Sequence, residues 1–123
     1  MPPFDAVVAS EVMEHVEDLP TFAAALSASA APQAPVVVTT LNRTLPSYLA
    51  AIVLAERVLR WVPRGTHRWE RFLTPEELAM LMRAHGRMRM EGATGMLLNP
   101  LAKTWRFGTD LSINYAAHFV KTD

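Results

Sequence analysis

The sequence predicts an α/β fold assembled on a strand, helix, strand unit, and three observations carry that expectation. Phe4–Ala9 (Phe-Asp-Ala-Val-Val-Ala) and Val36–Leu41 (Val-Val-Val-Thr-Thr-Leu) are short apolar runs rich in β-forming residues. Between them lies an alanine-rich stretch, Phe22 to Ser29, opened by Asp18-Leu19-Pro20, an N-cap residue with proline in the first turn. The composition agrees: 123 residues, 50% hydrophobic, 20% charged, with 12 basic and 12 acidic side chains and no net charge, describe a single folded domain. That balance argues against disorder and against nucleic acid as a partner. Without cysteine, the chain has no disulfide, thiolate metal site or cysteine nucleophile.

Taken in order, Phe4–Ala9 has the character of a parallel strand buried on both faces, and it ends at Ser10. The helix that follows is broken by Ala31-Pro32-Gln33-Ala34-Pro35, and Val36–Leu41 is the strongest strand signal in the chain. Residues 45–72 form a helical insert, because Tyr48, Ile52, Ala55, Leu59 and Val62 recur at helical spacing and Glu56 pairs with Arg60. Thr74-Pro75-Glu76-Glu77 opens a further helix with a capping box and runs to His85 before Gly86. Met88–Met90 and Thr94–Leu98 are weak strands, and Ser112–Val120 is a better one. The leading strand needs a pairing partner, so an upstream part of the sheet is expected to be missing, and the free edge favours association or a dimer.

Charge is unevenly distributed. Residues 1–42 hold Asp5, Glu11, Glu14, Glu17 and Asp18 with no Lys or Arg, whereas Arg57, Arg60, Arg64, Arg68 and Arg71 make a cationic band on the insert. The densest set of metal-ligating side chains is Glu11-Val12-Met13-Glu14-His15, directly after the first strand, where open α/β sheets place their ligands. Glu11, Glu14 and His15 converge if this turn is helical, and two carboxylates with an imidazole suit Mg²⁺ or Mn²⁺ better than zinc. On spacing alone, the same residues also read as two solvated glutamates and a histidine leading into a helix. His85 reads as a helix-terminus dipole partner and His118 as a packed strand residue.

The stretch Phe4 to Val16, with its Ser-Glu-Val-Met-Glu-His core, resembles the post-strand motif of the ubiquinone biosynthesis O-methyltransferases, a family of class I S-adenosylmethionine enzymes. Thr40-Leu41-Asn42-Arg43-Thr44 with Ser47-Tyr48, then Pro63-Arg64-Gly65-Thr66-His67-Arg68-Trp69, Phe72 with Pro75-Glu76-Glu77-Leu78, Asn99-Pro100 and Asn114-Tyr115 are similar to later segments of that family in the same order. The resemblance implies the C-terminal half of a Rossmann-like methyltransferase sheet, with residues 1–123 a partial methyltransferase domain. It implies methylation of a polyprenylated dihydroxybenzene, with S-adenosylmethionine as donor and Mg²⁺ as the metal. Carried over by position, it places Ser10 near the cofactor and makes Glu11, Glu14 and His15 the metal ligands. His67 is the candidate catalytic base, the alternative being a structural histidine bonded to a loop backbone.

The insert has two readings. One is a lid over the active site; the other is an interfacial helix that presents Tyr48, Leu49, Ile52, Val53 and Trp61 to lipid with arginines at the headgroups. Expected partners are the polyprenylated phenolic substrate, a membrane surface and other proteins of the ubiquinone pathway. The expected place is the matrix face of the mitochondrial inner membrane or, alternatively, the bacterial cytoplasm and inner membrane. Two features depart from the family: the five glycines contain no G-x-G, and Ala31-Pro32-Gln33-Ala34-Pro35 replaces its usual Lys-Pro-Gly-Gly turn. They keep a second expectation open, a non-catalytic remnant that binds metal or partners within the pathway.

Overall fold

The computed structural model describes residues 3–50, 69–99 and 101–122. Strand β1 (Val7–Ser10) leads through a 3₁₀ turn at Met13–His15 into helix α1 (Leu19–Ser29), and strand β2 (Pro35–Leu41) follows. Helix α2 (Leu45–Ser47) opens the insert, whose residues 51–68 lie outside the described part. A second 3₁₀ turn at Trp69–Arg71 then precedes helix α3 (Pro75–Gly86) and strands β3 (Met88–Asn99), β4 (Thr104–Gly108) and β5 (Asn114–Lys121). These strands form one sheet in the order β1-β2-β5-β3-β4.

β1 and β2 are parallel, the pairing a strand, helix, strand unit must produce, whereas β5 enters antiparallel between β2 and β3. The reversal places the last strand of the chain beside β2, so residues far apart in sequence meet at the carboxyl ends of β1 and β2. Val36 and Val38 of β2 are fully buried with Ala9, Tyr115, Ala117 and Phe119 against Ala23 and Leu26 of α1 and Leu78 and Met82 of α3. Among the described residues the helices cover this face, and the opposite face is more open. Val8 is therefore exposed, and β1 is not buried on both faces as its composition suggested.

Both long helices start where the sequence signals place them. Asp18 accepts hydrogen bonds from the backbone N–H and hydroxyl of Thr21, which hold its carboxyl below the usual carboxylate range. Thr74 and Glu77 form a reciprocal capping box at α3. Gly86 does not end α3 by turning left-handed. It is the last helical residue, and Arg87 takes the left-handed conformation with φ 52°. A Cβ at Gly86 would lie 3.2 Å from the carbonyl oxygen of Ala23, so glycine here serves the close approach of α3 to α1.

The two weak strand signals at 88–90 and 94–98 are one strand. Its pairing with β5 shifts between Met90 and Gly92, and the bulge reverses the alternation that periodicity relies on. Strand β4 was not foreseen, although Thr104-Trp105-Arg106-Phe107 does alternate. His118 is exposed rather than packed, because Ala117 and Phe119 point to the helix-covered face and the residue between them points away.

Phe119→Ala is expected to destabilise the protein by about 3–5 kcal/mol, as for a large core side chain, and Thr74→Ala by about 1 kcal/mol, as for a lost cap. Urea denaturation reads both, and equal effects of the two substitutions would contradict this placement of the core.

Candidate functional site

The carboxyl end of β1 is where the sequence-predicted residues gather. Glu11 has φ 55°, a left-handed conformation in which a residue other than glycine costs about 1–2 kcal/mol. Its N–H donates to the Thr39 carbonyl at 2.8 Å and lies 3.2 Å from the Thr39 Oγ1, so the neighbouring strand holds the bend in place. The bend aims the Glu11 side chain toward β5, where Asn114 Nδ2 donates to Glu11 Oε1 at 2.9 Å. Glu11 Oε2 is buried and accepts from no N–H or hydroxyl group, and the Glu14 carboxyl lies within hydrogen-bond reach of the Glu11 carboxyl.

Glu14 reaches the same region from the 3₁₀ turn. It is almost fully buried, and Thr40 Oγ1 donates to its Oε2 at 2.7 Å. Burial, and then the negative charge of Glu14, push the Glu11 carboxyl up to about 7 against the lowering effect of the Asn114 bond. Two carboxylates are thus held together in a poorly solvated turn, with one oxygen left without a donor.

His15 does not join them fully. The segment is a 3₁₀ turn after a left-handed residue rather than an α-helix starting at Glu11, and its tighter pitch sends Met13 and Glu14 inward and His15 outward. His15 Nε2 lies 4.0 Å from Glu14 Oε1, with its side chain half exposed. Among the described residues no three His, Cys, Asp or Glu side chains form a ready metal group. Ser10 is exposed at the end of β1, its hydroxyl 3.0 Å from that of Thr39. His67 lies outside the described residues.

Sequence reasoning missed Thr40 and Asn114 as holders of the carboxylates. Asn114 is 103 positions from Glu11, a separation that no local pattern spans. The available signal was their membership of the Thr40-Leu41-Asn42 and Asn114-Tyr115 segments.

Close by, the two ends of the insert are fastened together. Thr44 caps α2, accepts from the Ser47 N–H and donates to the Ser112 carbonyl. Trp69 Nε1 donates to the Thr44 carbonyl at 2.8 Å, and the Tyr48 and Trp69 rings meet edge to face at 6.0 Å. Arg43 donates to the Phe72 carbonyl at 2.9 Å and to Glu77 Oε2 at 2.7 Å. The insert therefore leaves and rejoins the domain next to the carboxylate pair.

The family described as methyltransferase domain matches residues 2–87. The chain is 46% identical to the ubiquinone biosynthesis O-methyltransferase of Rhodopseudomonas palustris, over 91% of this chain and 44% of that protein. It is 43% identical to the mitochondrial protein of that name from Homo sapiens (97% and 32%), and 41% identical to that from Arabidopsis thaliana (96% and 36%). The chain thus spans between 32% and 44% of the length of these relatives. In fold it is similar to a SAM-dependent methyltransferase from Thermotoga maritima, with a TM-score of 0.63 at 16% identity over 99% of this chain and 59% of that one.

The Arg43–Glu77 clasp supplies a pH test. Arg43 holds the Glu77 carboxyl below its ordinary 4.5, so the pair's stabilisation is complete above pH 4.5 and is lost as pH falls through the lowered folded value. The difference in thermal midpoint between the wild-type chain and Arg43→Gln is expected to shrink on acidification below 4.5. A difference that grows in that range would contradict the assignment.

Proposed function

The chain belongs to the methyltransferase domain family, and from that premise we propose that it serves S-adenosylmethionine-dependent O-methylation of a polyprenylated dihydroxybenzene on the route to ubiquinone. One observation carries the reading: a chain 41–46% identical to ubiquinone biosynthesis O-methyltransferases holds a buried Glu14 beside a half-buried Glu11 at the carboxyl ends of its parallel strands. The Glu11 oxygen without an N–H or hydroxyl donor and the all-oxygen donor set of Glu11 and Glu14 fit a hard divalent cation, and Mg²⁺ is the proposed occupant. His15, 4.0 Å from Glu14, is the proposed third ligand. When bound, such a cation would offset the two carboxylates and lower the pKa of a ring hydroxyl.

The remaining roles belong to the chain's own groups. Thr40 and Asn114 fix one oxygen of each carboxylate and leave the others for a ligand. The exposed Ser10 hydroxyl is the proposed contact to the methyl donor above the strand ends. His67 is the proposed acceptor of the ring-hydroxyl proton, and bound S-adenosylmethionine would supply the methyl group. Residues 45–72 are the proposed cover or membrane face for the isoprenoid tail. The working place in this reading is an inner membrane, mitochondrial or bacterial, beside other proteins of the ubiquinone pathway; the relatives include a protein named as mitochondrial and one from the bacterium Rhodopseudomonas palustris. The second reading is a non-catalytic metal-binding or partner-binding module, in which the carboxylate pair holds a cation without methyl transfer.

Methyl transfer from labelled S-adenosylmethionine to a short-prenyl dihydroxybenzoate tests the proposal. Transfer is expected to need Mg²⁺, to fall by about 10- to 100-fold in Thr40→Val or Asn114→Ala, and to fall further in Glu14→Gln. Transfer indifferent to chelation and to Glu14→Gln would contradict the metal site. No transfer, with Mg²⁺ binding retained, would favour the second reading.

A further inference from the structure

Asn42 stands one residue beyond β2 and is not bonded to either carboxylate, yet its side chain is held in a similar way. Asn42 is 9% exposed, its Nδ2 donates to the Leu111 carbonyl at 3.0 Å, and its N–H donates to the Ile113 carbonyl at 2.7 Å. These bonds fix the amide with Oδ1 turned away from Leu111, and Oδ1 is buried without a hydrogen-bond donor. Among the described residues, Asn42 Oδ1 and Glu11 Oε2 are the two buried side-chain atoms left in this state. They belong to one end of the sheet, because Ile113, which accepts from Asn42, is followed by Asn114, which bonds Glu11. The Asn42–Ile113 bond carries the β2–β5 ladder one step past Leu41, so Asn42 keeps the side of β2 from which Thr40 reaches Glu14. Buried polar atoms in native proteins almost always have partners, and an acceptor left open beside a site is suited to a donor on the ligand.

We propose that Asn42 is a specificity residue: its Oδ1 accepts a hydrogen bond from the ring hydroxyl that stays unmethylated, and so fixes which of two neighbouring oxygens reacts. The inference rests on the methyl-transfer reading and adds to it a residue that orients the ring. An amide oxygen offers lone pairs and no proton, so its partner must bring an O–H or N–H. A dihydroxybenzene brings two hydroxyls on adjacent carbons, one for the carboxylate end of the site and one for Asn42. A ring that sets an ether oxygen or a bare C–H against Asn42 leaves Oδ1 buried and unpaired, and a site built to bond a hydroxyl rejects such a ligand. The bond from Nδ2 to Leu111 keeps the amide from turning over to offer its donor instead.

The test is calorimetric titration of the full chain, in the presence of Mg²⁺, with a short-prenyl dihydroxybenzoate and with its two analogues that each lack one hydroxyl. Asn42→Ala is expected to weaken the dihydroxy compound and one analogue by about tenfold, and to change the other analogue, which has no hydroxyl for Asn42, by less than about twofold. Asn42→Asp keeps an acceptor oxygen and gives up the donor to Leu111, and it is expected to preserve the distinction between the analogues. Equal weakening of all three ligands by Asn42→Ala, or loss of the distinction in Asn42→Asp as complete as in Asn42→Ala, would make Asn42 a fastener of the loop and overturn the inference alone. Wild-type protein that binds both analogues as tightly as the dihydroxy compound would overturn it without any variant. Binding of none of the three by the folded wild type would overturn the methyl-transfer reading together with this inference.

Discussion

Two carboxylates confined to one half-buried turn impose the condition to which much of this domain is fitted. Like charges in a poorly solvated place raise the energy of the ionised pair, and Glu11 shows it, being held at about 7 by burial and by Glu14. The chain keeps them there against further costs. A left-handed backbone at Glu11 is unfavourable for any side chain, and a buried oxygen without a donor costs about 1–3 kcal/mol. A turn with only a connecting role needs neither, and strain of this kind concentrates where a site is built.

The topology explains how the pair is held. Because β5 runs antiparallel between β2 and β3, its first residue, Asn114, arrives beside the carboxyl ends of β1 and β2 and bonds Glu11. Thr40 lies on the same side of β2 as the buried Val36 and Val38, so its hydroxyl meets Glu14 under the turn. The insert is fastened at the same end, Thr44 bonding to Ser112 and Trp69 to Thr44. Site and insert therefore share supports in the β5 approach, and displacement of residues 111–114 would disturb both.

Local chemistry made much of this legible. Asp18 and Thr74 announced two helix starts, and the β-branched run at 36–41 announced the central parallel strand. The family resemblance singled out Ser10, Glu11, Glu14 and His15, and the structure sets the first three among the strand ends while His15 turns outward. What stayed hidden depended on three-dimensional context. The bulge after Met90 broke the alternation of β3, the approach of α3 to α1 gave Gly86 a packing role, and the bond from Asn114 to Glu11 joins the two ends of the chain. The left-handed Glu11 carries no sequence mark, since no glycine or asparagine stands there.

The proposed cation site is formed by Glu11 and Glu14 and held by Thr40 and Asn114. Calorimetric titration of the metal-free chain with Mg²⁺ above neutral pH tests it most directly, with Glu11→Gln and Glu14→Gln alongside. The account predicts one ion per chain, bound by the wild-type protein and lost in both variants while they remain folded, with His15→Ala weakened less. Equal Mg²⁺ affinity in wild type and both glutamine variants, or no binding to the folded wild type, would contradict it.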